Sequence, residues 1–532
     1  MDGRGRWTSS APVVVAAAAA LAGCLNLLWA WFLATGGGDL AAQNAWAWFA
    51  GRHPGSAYSL AWYGGIHPFS YSVISPYVMA LLGVRTVAVA AGTFSAAVLA
   101  LVLVRSGITR PWWPALWGAL ALSCNVASGR VTFALGVLFA LGAVAVTVTV
   151  DPQDRPGARW QAPAVVSLGV LATLASPVAG LFLEVVAAGL YLTGRRRAAW
   201  TLALGPPPVV AAGSLLFPFS GVQPISGSSV VLPVGCALAL AVLAPRAWRT
   251  VRAGAPVYAV GVLATWAVAS PIGSNVERLA LLFGGVLLLA AATQRRTMAL
   301  WVAFAVIACW QVLKPIGDLS VTAVGPSALS WVRQTEPLLA ELRRLHADRG
   351  RVEAVPVATH REAFALARHV NLARGWNRQL DTERHPLFYD GTLTPRSYHA
   401  WLRRWSVQYV VLARSAPDWA AGAESRIVRH GQPWLRPVWA DRNWRLYRLA
   451  DPAPLVDPPA TIQWAGPAEL VVNVPARASI TIRIPWSPWL RILGDSPGCV
   501  APHGEWTRLN APVPGRYRIG GPYELPRGTP CA

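Results

Sequence analysis

The chain has 532 residues, 54% of them hydrophobic and only 13% charged, with a mean hydropathy of +0.40, values that exclude an ordinary soluble enzyme. Its 46 Lys and Arg against 24 Asp and Glu give a net charge of +22, and the single lysine is Lys314. A pI near 10.9 raises nucleic acid as a partner, but the arginines punctuate apolar runs and no nucleic-acid motif is present, so nucleic-acid binding is not expected.

The first apolar run, Ala11 to Thr35, exceeds the about 7–15 residues of a signal-peptide core and reads as a retained helix. Further runs follow at 85–104, 112–125, 130–150, 161–176, 178–193, 199–217, 229–244, 255–272, 278–293 and 297–313. With 11–34 they predict an α-helical polytopic membrane domain of about eleven transmembrane helices, since about 20 apolar residues cross a bilayer core. Arg4, Arg6, Arg105, Arg110, Arg155, Arg159 and the arginines of 194–199, 245–254 and 294–296 fall on one side if 71–84 lies at the outer face without crossing. The positive-inside rule then makes the N-terminus cytoplasmic. Loop 35–84 and everything after 313 lie outside a multi-pass plasma-membrane protein.

That loop begins "GGGDLAAQNAWAWFAG". The glycines end the first run and Asp39 follows. One reading makes Asp39 a helix N-cap, for which Asp is a preferred residue. The other makes it a general base, a carboxylate placed to take a proton from a hydroxyl nucleophile. His53, Tyr58, Trp62, Tyr63 and His67 would supply rings on which the apolar faces of a sugar stack. Further on, Arg130 and Arg278 each begin an apolar run at the expected outer face. Charge there snorkels or pairs, as Arg278 would with Glu277. Alternatively, the two guanidinium groups grip a lipid-linked phosphate bidentately.

Beyond Lys314 the composition becomes that of a soluble protein. Helical and strand patterns alternate to Leu449, suggesting an extracytoplasmic α/β unit over 314–458. From 459 to 532 short alternating strands with Pro and Gly turns suggest a small β-sandwich, of a kind used in carbohydrate-binding modules. Within "ARGWNRQLDTERHPLFYDG", Trp376 and Arg378 are candidate acceptor-binding residues, against the plainer reading of a solvated loop. Cys499 and Cys531 are placed to form a disulfide in an oxidising compartment. No zinc spacing, Walker motif, dinucleotide fingerprint or HExxH occurs, so neither metal nor cofactor is expected.

An acid just after helix one, followed by an aromatic, His- and Pro-rich stretch, resembles the GT-C glycosyltransferase superfamily. The layout of 1–313 is also similar to multi-pass proteins labelled 6-pyruvoyl-tetrahydropterin synthase-related, a historical label that implies no pterin chemistry. "NLARGWNRQLDTERHPLFYDGTL" looks like a stretch of actinobacterial multi-pass membrane proteins. The resemblance implies a GT-C-like fold that transfers a sugar, with inversion, from a polyprenyl-phosphate donor. The acceptor would be a cell-envelope glycan or lipid on the outer face. Asp39 alone matches the motif, and the loop holds no DxD or ExD pair. Asp39 would be the base, while Arg130 and Arg278 stabilise the departing lipid phosphate. The alternatives are a non-catalytic envelope protein that binds glycan or lipid and, third, a transporter, for which no repeat with matched broken helices is visible.

Overall fold

A computed structural model of the chain describes residues 11–70, 72–149, 160–323 and 328–531. Arg4, Arg6, Arg155 and Arg159 lie outside the described residues. The chain divides into two compact units, Met1–Ala34 with Ser72–Val324, and Thr35–Tyr71 with Gly325–Ala532.

The helical unit starts with α1 (Ala11–Leu28), which continues through a π-helical turn at Trp29–Leu33. After α2 (Asp39–Arg52), which belongs to the other unit, come α3 (Ser75–Leu82), α4 (Val84–Arg105), α5 (Trp112–Ala127), α6 (Val131–Thr149), α7 (Gln161–Ala175) and α8 (Pro177–Leu192). Then follow α9 (Arg196–Ala203), α10 (Pro206–Leu216), α11 (Gly227–Leu243), α12 (Arg249–Ala267), α13 (Gly285–Arg295) and α14 (Met298–Thr322). Each run expected to span contains helix, but 199–217 is divided between α9 and α10, and 255–272 is helical only as far as Ala267. Six segments are long and apolar enough to cross a membrane: Ala11–Leu33, Val84–Arg105, Val131–Val148, Arg196–Leu216, Gly273–Arg295 and Met298–Thr322. α7, α8 and α11 are apolar but shorter. The 16 residues of α5 rise only about 24 Å against a core of about 30 Å.

Two expected boundaries move. The soluble part does not begin at Lys314, because α14 runs through Lys314 and Pro315 to Thr322. Composition changes there before the helix ends. The loop assigned to the membrane domain also divides. Its first part, 35–71, is part of the second unit, while α3 stays with the helices through Ser72 and Ser75, whose hydroxyls donate to the Ala175 carbonyl.

The mixed unit has α15 (Ala328–Arg344), β1 (Arg351–Ala354), α16 (Arg361–Ala367), β2 (Asn371–Leu372), α17 (Arg378–Arg384), α18 (Pro395–Arg404), β3 (Val407–Ala413), α19 (Gly422–Arg429), β4 (Leu435–Ala440) and β5 (Trp444–Leu449). The strands order as β2-β1-β3-β5-β4, with β1 parallel to β2 and β3, and β5 antiparallel to β3 and β4. The chain then builds β6 (Thr461–Ala465), β7 (Glu469–Val474), β8 (Ala478–Pro485), β9 (Arg491–Leu493), β10 (Cys499–His503), β11 (Trp506–Ala511) and β12 (Gly515–Gly520). These form sheets β10-β11-β8 and β6-β7-β12-β9. Alternate residues of β7, β8 and β12, among them Leu470, Ile482 and Ile519, close a common core. Cys499 and Cys531 form a disulfide.

The segment 53–70 is woven into this unit. Leu60 N–H donates to the Pro467 carbonyl at 2.6 Å, Ala57 N–H to Gly521 at 2.6 Å, and Leu372 N–H to Ala61 at 2.9 Å. Tyr58 and Leu60 join the sandwich core.

Candidate functional site

Two turns meet at the start of α2. Gly38 sits at φ +62°, a conformation open to glycine at no steric cost, and its N–H donates to the Thr359 carbonyl at 2.7 Å. A Cβ on Gly37 would lie 3.2 Å from that same carbonyl oxygen. The glycines therefore let the chain press against the segment that leads into α16. Gly38 is the N-cap of α2, and Asp39 is the first helical residue. The capping reading of Asp39 is thus replaced by another, a carboxylate in the first turn at the positive end of the helix dipole.

His360 lies against this turn. It precedes α16 in the left-handed conformation, φ +52°, which few non-glycine residues adopt. Its ring stacks on Trp376 with centroids 3.5 Å apart and an interplanar angle of 9°. Nε2 is 3.4 Å from Asp418 Oδ2, and Nδ1 is 3.8 Å from Glu362 Oε1. Burial lowers the His360 pKa, while Asp418 and then Asp39 favour the protonated ring. Asp39 is therefore within electrostatic reach of the imidazole. Glu362 is fully buried, and the loss of water pushes its carboxyl up to about 8, so it is neutral at pH 7. Burial would raise Asp418 too. The His360 hydrogen bond, Arg378 and the Ala420 N–H together outweigh it and hold Asp418 well below the usual range.

Arg378 grips Asp418 with both terminal nitrogens at 3.1 Å. Its guanidinium carbon lies 4.9 Å from the Trp376 ring and 5.0 Å from that of Trp419, which is 76% exposed. A hydrogen bond at 2.9 Å from Arg378 to the Tyr389 hydroxyl, and one at 2.5 Å from that hydroxyl to Asp381, lead inward. There Arg374 meets Glu353 at 2.7 Å, Glu424, and Asp381 at 3.9 Å, with Tyr398 donating to Glu424 at 2.8 Å. Desolvation raises both glutamates; it lowers Arg374, but the summed carboxylates reverse that effect.

The topology explains why these groups converge. His360 follows β1 and Asp418 follows β3, two parallel neighbours. From β1 the chain crosses to β2 on one side and then returns to β3 on the other. Open α/β sheets bind ligands beyond the carboxyl ends of strands where the order reverses in this way.

Of the expected site residues, Asp39, Trp376 and Arg378 are in this cluster. Tyr58, Trp62, Tyr63 and His67 are not sugar platforms: they are 2%, 2%, 0% and 7% exposed and have internal partners. Tyr58 donates to the Pro485 carbonyl at 2.8 Å, Trp62 to Ala363 at 3.0 Å, and Tyr63 to Asn377 at 3.1 Å. His67 lies between the Ala57 carbonyl and the Ser487 hydroxyl, at 2.8 and 3.2 Å. Those rings hold the loop in its unit. His53 ends α2, its ring 5.3 Å from Phe49. In the helical unit, Arg130 pairs with Asp318 at 3.1 Å and Arg278 lies 5.1 Å over Phe133. Glu277 pairs with Lys314. Among the described residues, no three His, Cys, Asp or Glu are grouped to hold a metal ion.

His360, Glu362, Asp418 and Trp419 were not anticipated. The available signal was positional: a histidine in "VATHREA" closing a strand-to-helix turn, and an acid in "SAPDWAAG" doing the same after the next parallel strand. A family model described as Domain of unknown function (DUF8823) matches residues 457–532, the sandwich region. No curated protein matches the chain.

Proposed function

We propose that the chain is an integral membrane glycosyltransferase of GT-C type, transferring a sugar from a polyprenyl-phosphate donor to an envelope glycan or lipid. The supporting observation is Asp39 at the first position of α2, beside His360 and Asp418 at the carboxyl ends of parallel strands. In this reading the Asp39 carboxylate takes the proton of the acceptor hydroxyl. The oxygen attacks the anomeric carbon, and the carbon–oxygen bond to phosphate breaks, releasing polyprenyl phosphate. The Asp418-bound His360 holds the site polar while Trp376 and Arg378 face the acceptor. The eleven-span layout, with the N-terminus cytoplasmic and the mixed unit outside, belongs to the same proposal.

The test is transfer from a radiolabelled polyprenyl-phosphate sugar by membranes carrying wild type or Asp39→Asn. Loss of a general base costs on the order of 10²–10⁴-fold in rate. A folded Asn variant with full activity would leave the mechanism without its base. Orientation is read by maleimide labelling of intact cells, with Arg197→Cys and Arg396→Cys introduced separately after Cys24, Cys124, Cys236 and Cys309 are replaced. Only the second should label. The exposed Trp419 beside Arg378 favours a second reading, a glycan-binding envelope protein without transfer. That reading requires glycan binding indifferent to Asp39→Asn and no transfer at all.

A further inference from the structure

At the carboxyl end of β3 the mixed unit has a pocket of about 230 Å³, lined by Leu412, Ala413, Arg414, Arg429 and Arg445. Three elements supply the arginines. Arg414 follows β3, Arg429 is the last residue of α19, and Arg445 lies on β5 directly across from Leu412. Leu412 and Ala413 are buried, Arg445 is half-buried, and Arg414 and Arg429 are exposed, so the pocket has an apolar floor and a mouth open to solvent.

No acid is in the lining. The acids close by in the chain are committed elsewhere. Asp418 is held by Arg378 and His360, and Glu424 by Arg374 and Tyr398. The Asp441 carboxylate accepts the Asn443 and Trp444 N–H groups at 2.7 and 2.6 Å, and Asp441 offers Arg414 only its backbone carbonyl, at 3.2 Å. Among the described residues, the ion pairs of this region include none of the three arginines. Guanidinium groups stay charged, so their mutual repulsion around one small space is relieved by an anion between them.

The pocket is smaller than the roughly 300–1,000 Å³ of sites for drug-sized ligands, which limits the anion's size. Its charge is set by the three arginines. A carboxylate cancels one positive charge, whereas a phosphate monoester carries about −1.5 to −2 and three strong acceptor oxygens. Those oxygens suit several guanidinium forks at once.

We propose that this pocket binds one phosphate group, as inorganic phosphate or a small soluble monoester, through Arg414, Arg429 and Arg445. The proposal is independent of the glycosyl-transfer reading, which uses none of these residues.

Purified full-length protein is titrated calorimetrically with inorganic phosphate, glycerol 3-phosphate, acetate and glycerophosphoglycerol, the diester headgroup of phosphatidylglycerol freed of its chains. Phosphate and glycerol 3-phosphate should bind saturably, about tenfold or more tighter than acetate or the diester, as expected when one further charge-assisted hydrogen bond separates two ligands. Arg445→Gln and Arg429→Gln should each weaken phosphate by about tenfold. Arg429 is exposed at a helix end, so its variant keeps the test open if Arg445→Gln does not fold. Arg442→Gln, on the neighbouring turn and outside the lining, should bind like wild type. Absence of saturable phosphate binding would overturn the proposal. So would equal weakening by Arg442→Gln and Arg429→Gln, which would reduce the effect to the general field of a chain with net charge +22. Tighter binding of the diester would assign the pocket to a lipid headgroup and overturn it as well.

Discussion

In the helical unit many large apolar side chains face outward, Trp31, Leu215 and Val242 being 81%, 76% and 68% exposed, and the interior mixes alanines such as Ala100, Ala119 and Ala172 with larger residues such as Phe133, Leu183 and Leu288. The mixed unit is arranged the other way. Leu470, Ile482 and Leu509 are at 0–1%, and charged side chains including Glu353, Glu424 and Arg374 are at 0–3%. Helices surrounded by lipid gain little from hiding apolar groups and associate through close packing of small residues. A unit in water folds by removing apolar area from solvent. It can then bury charge only where the charges compensate one another. The two units thus differ in what a substitution should cost.

The largest effect is expected at Arg374. Replacing it with Met leaves Glu353, Glu424 and Asp381 buried around an apolar side chain. Removing one partner of a buried ion pair costs about 3–5 kcal/mol. Urea unfolding of the full chain, followed by tryptophan fluorescence, should show that loss. Adding Glu353→Gln and Glu424→Gln should recover part of it. An unchanged midpoint in Arg374→Met would mean the network is solvated and the contrast between the units is false.

Next is the Cys499–Cys531 bridge, which closes a separation of 32 residues. Chain-entropy reasoning gives about 3–4 kcal/mol for a loop of this length. Reductant should lower the unfolding midpoint of the mixed unit and leave the far-ultraviolet signal of the helices in place. Equal loss in both would show that the units unfold together.

Much of this contrast is legible in the chain. The apolar runs place the helices because each is a local pattern of composition, although α12 starts six residues before its run and α14 ends nine residues after its own. "ELVVNVP", "SITIRIP" and "YRIGG" announce β7, β8 and β12 through their alternation. What is not legible is non-local. Nothing in 53–70 marks Tyr58 as core to a sandwich more than 400 residues later, since its partners Pro485 and Gly521 are met only through folding. β4 escapes notice because Pro437 and the exposed Arg436 interrupt an edge strand. The site itself was half visible. Asp39 stands in a glycine-marked turn, but His360 and Asp418 are brought to it by strand order, which no short motif encodes.

A smaller, pH-dependent effect should separate the units again. Burial pushes His67 from its ordinary 6.5 down to about 4, against the Ala57 hydrogen bond that favours protonation. The folded value is the lower one, so the unfolded chain takes up the proton first as pH falls. The stabilisation is present in full above about pH 6.5 and is lost as pH drops towards about 4. Between pH 7 and pH 5 the loss is about 2 kcal/mol. Glu362, raised to about 8, acts in the opposite sense, losing stability as pH rises from its ordinary range towards 8. Comparison with His67→Gln therefore isolates the histidine: the variant should lose less stability than wild type between pH 7 and pH 5. Identical losses would remove His67 from the account.

The smallest effect should be at Leu215. Its side chain is 76% exposed on α10, whereas Leu470 in β7 is fully buried in the sandwich. In water, truncating a buried leucine removes its transfer free energy and leaves a cavity, so Leu470→Ala should cost about 2–5 kcal/mol. Leu215→Ala deletes the same atoms from a surface that touches lipid before and after the helices separate. No transfer term arises and no cavity forms, so the change should stay within about 0.5 kcal/mol. Both variants are measured in the same lipid nanodiscs by thermal unfolding. If Leu215→Ala destabilises as much as Leu470→Ala, the outward apolar face of α10 is packed against another copy or another protein and not against lipid.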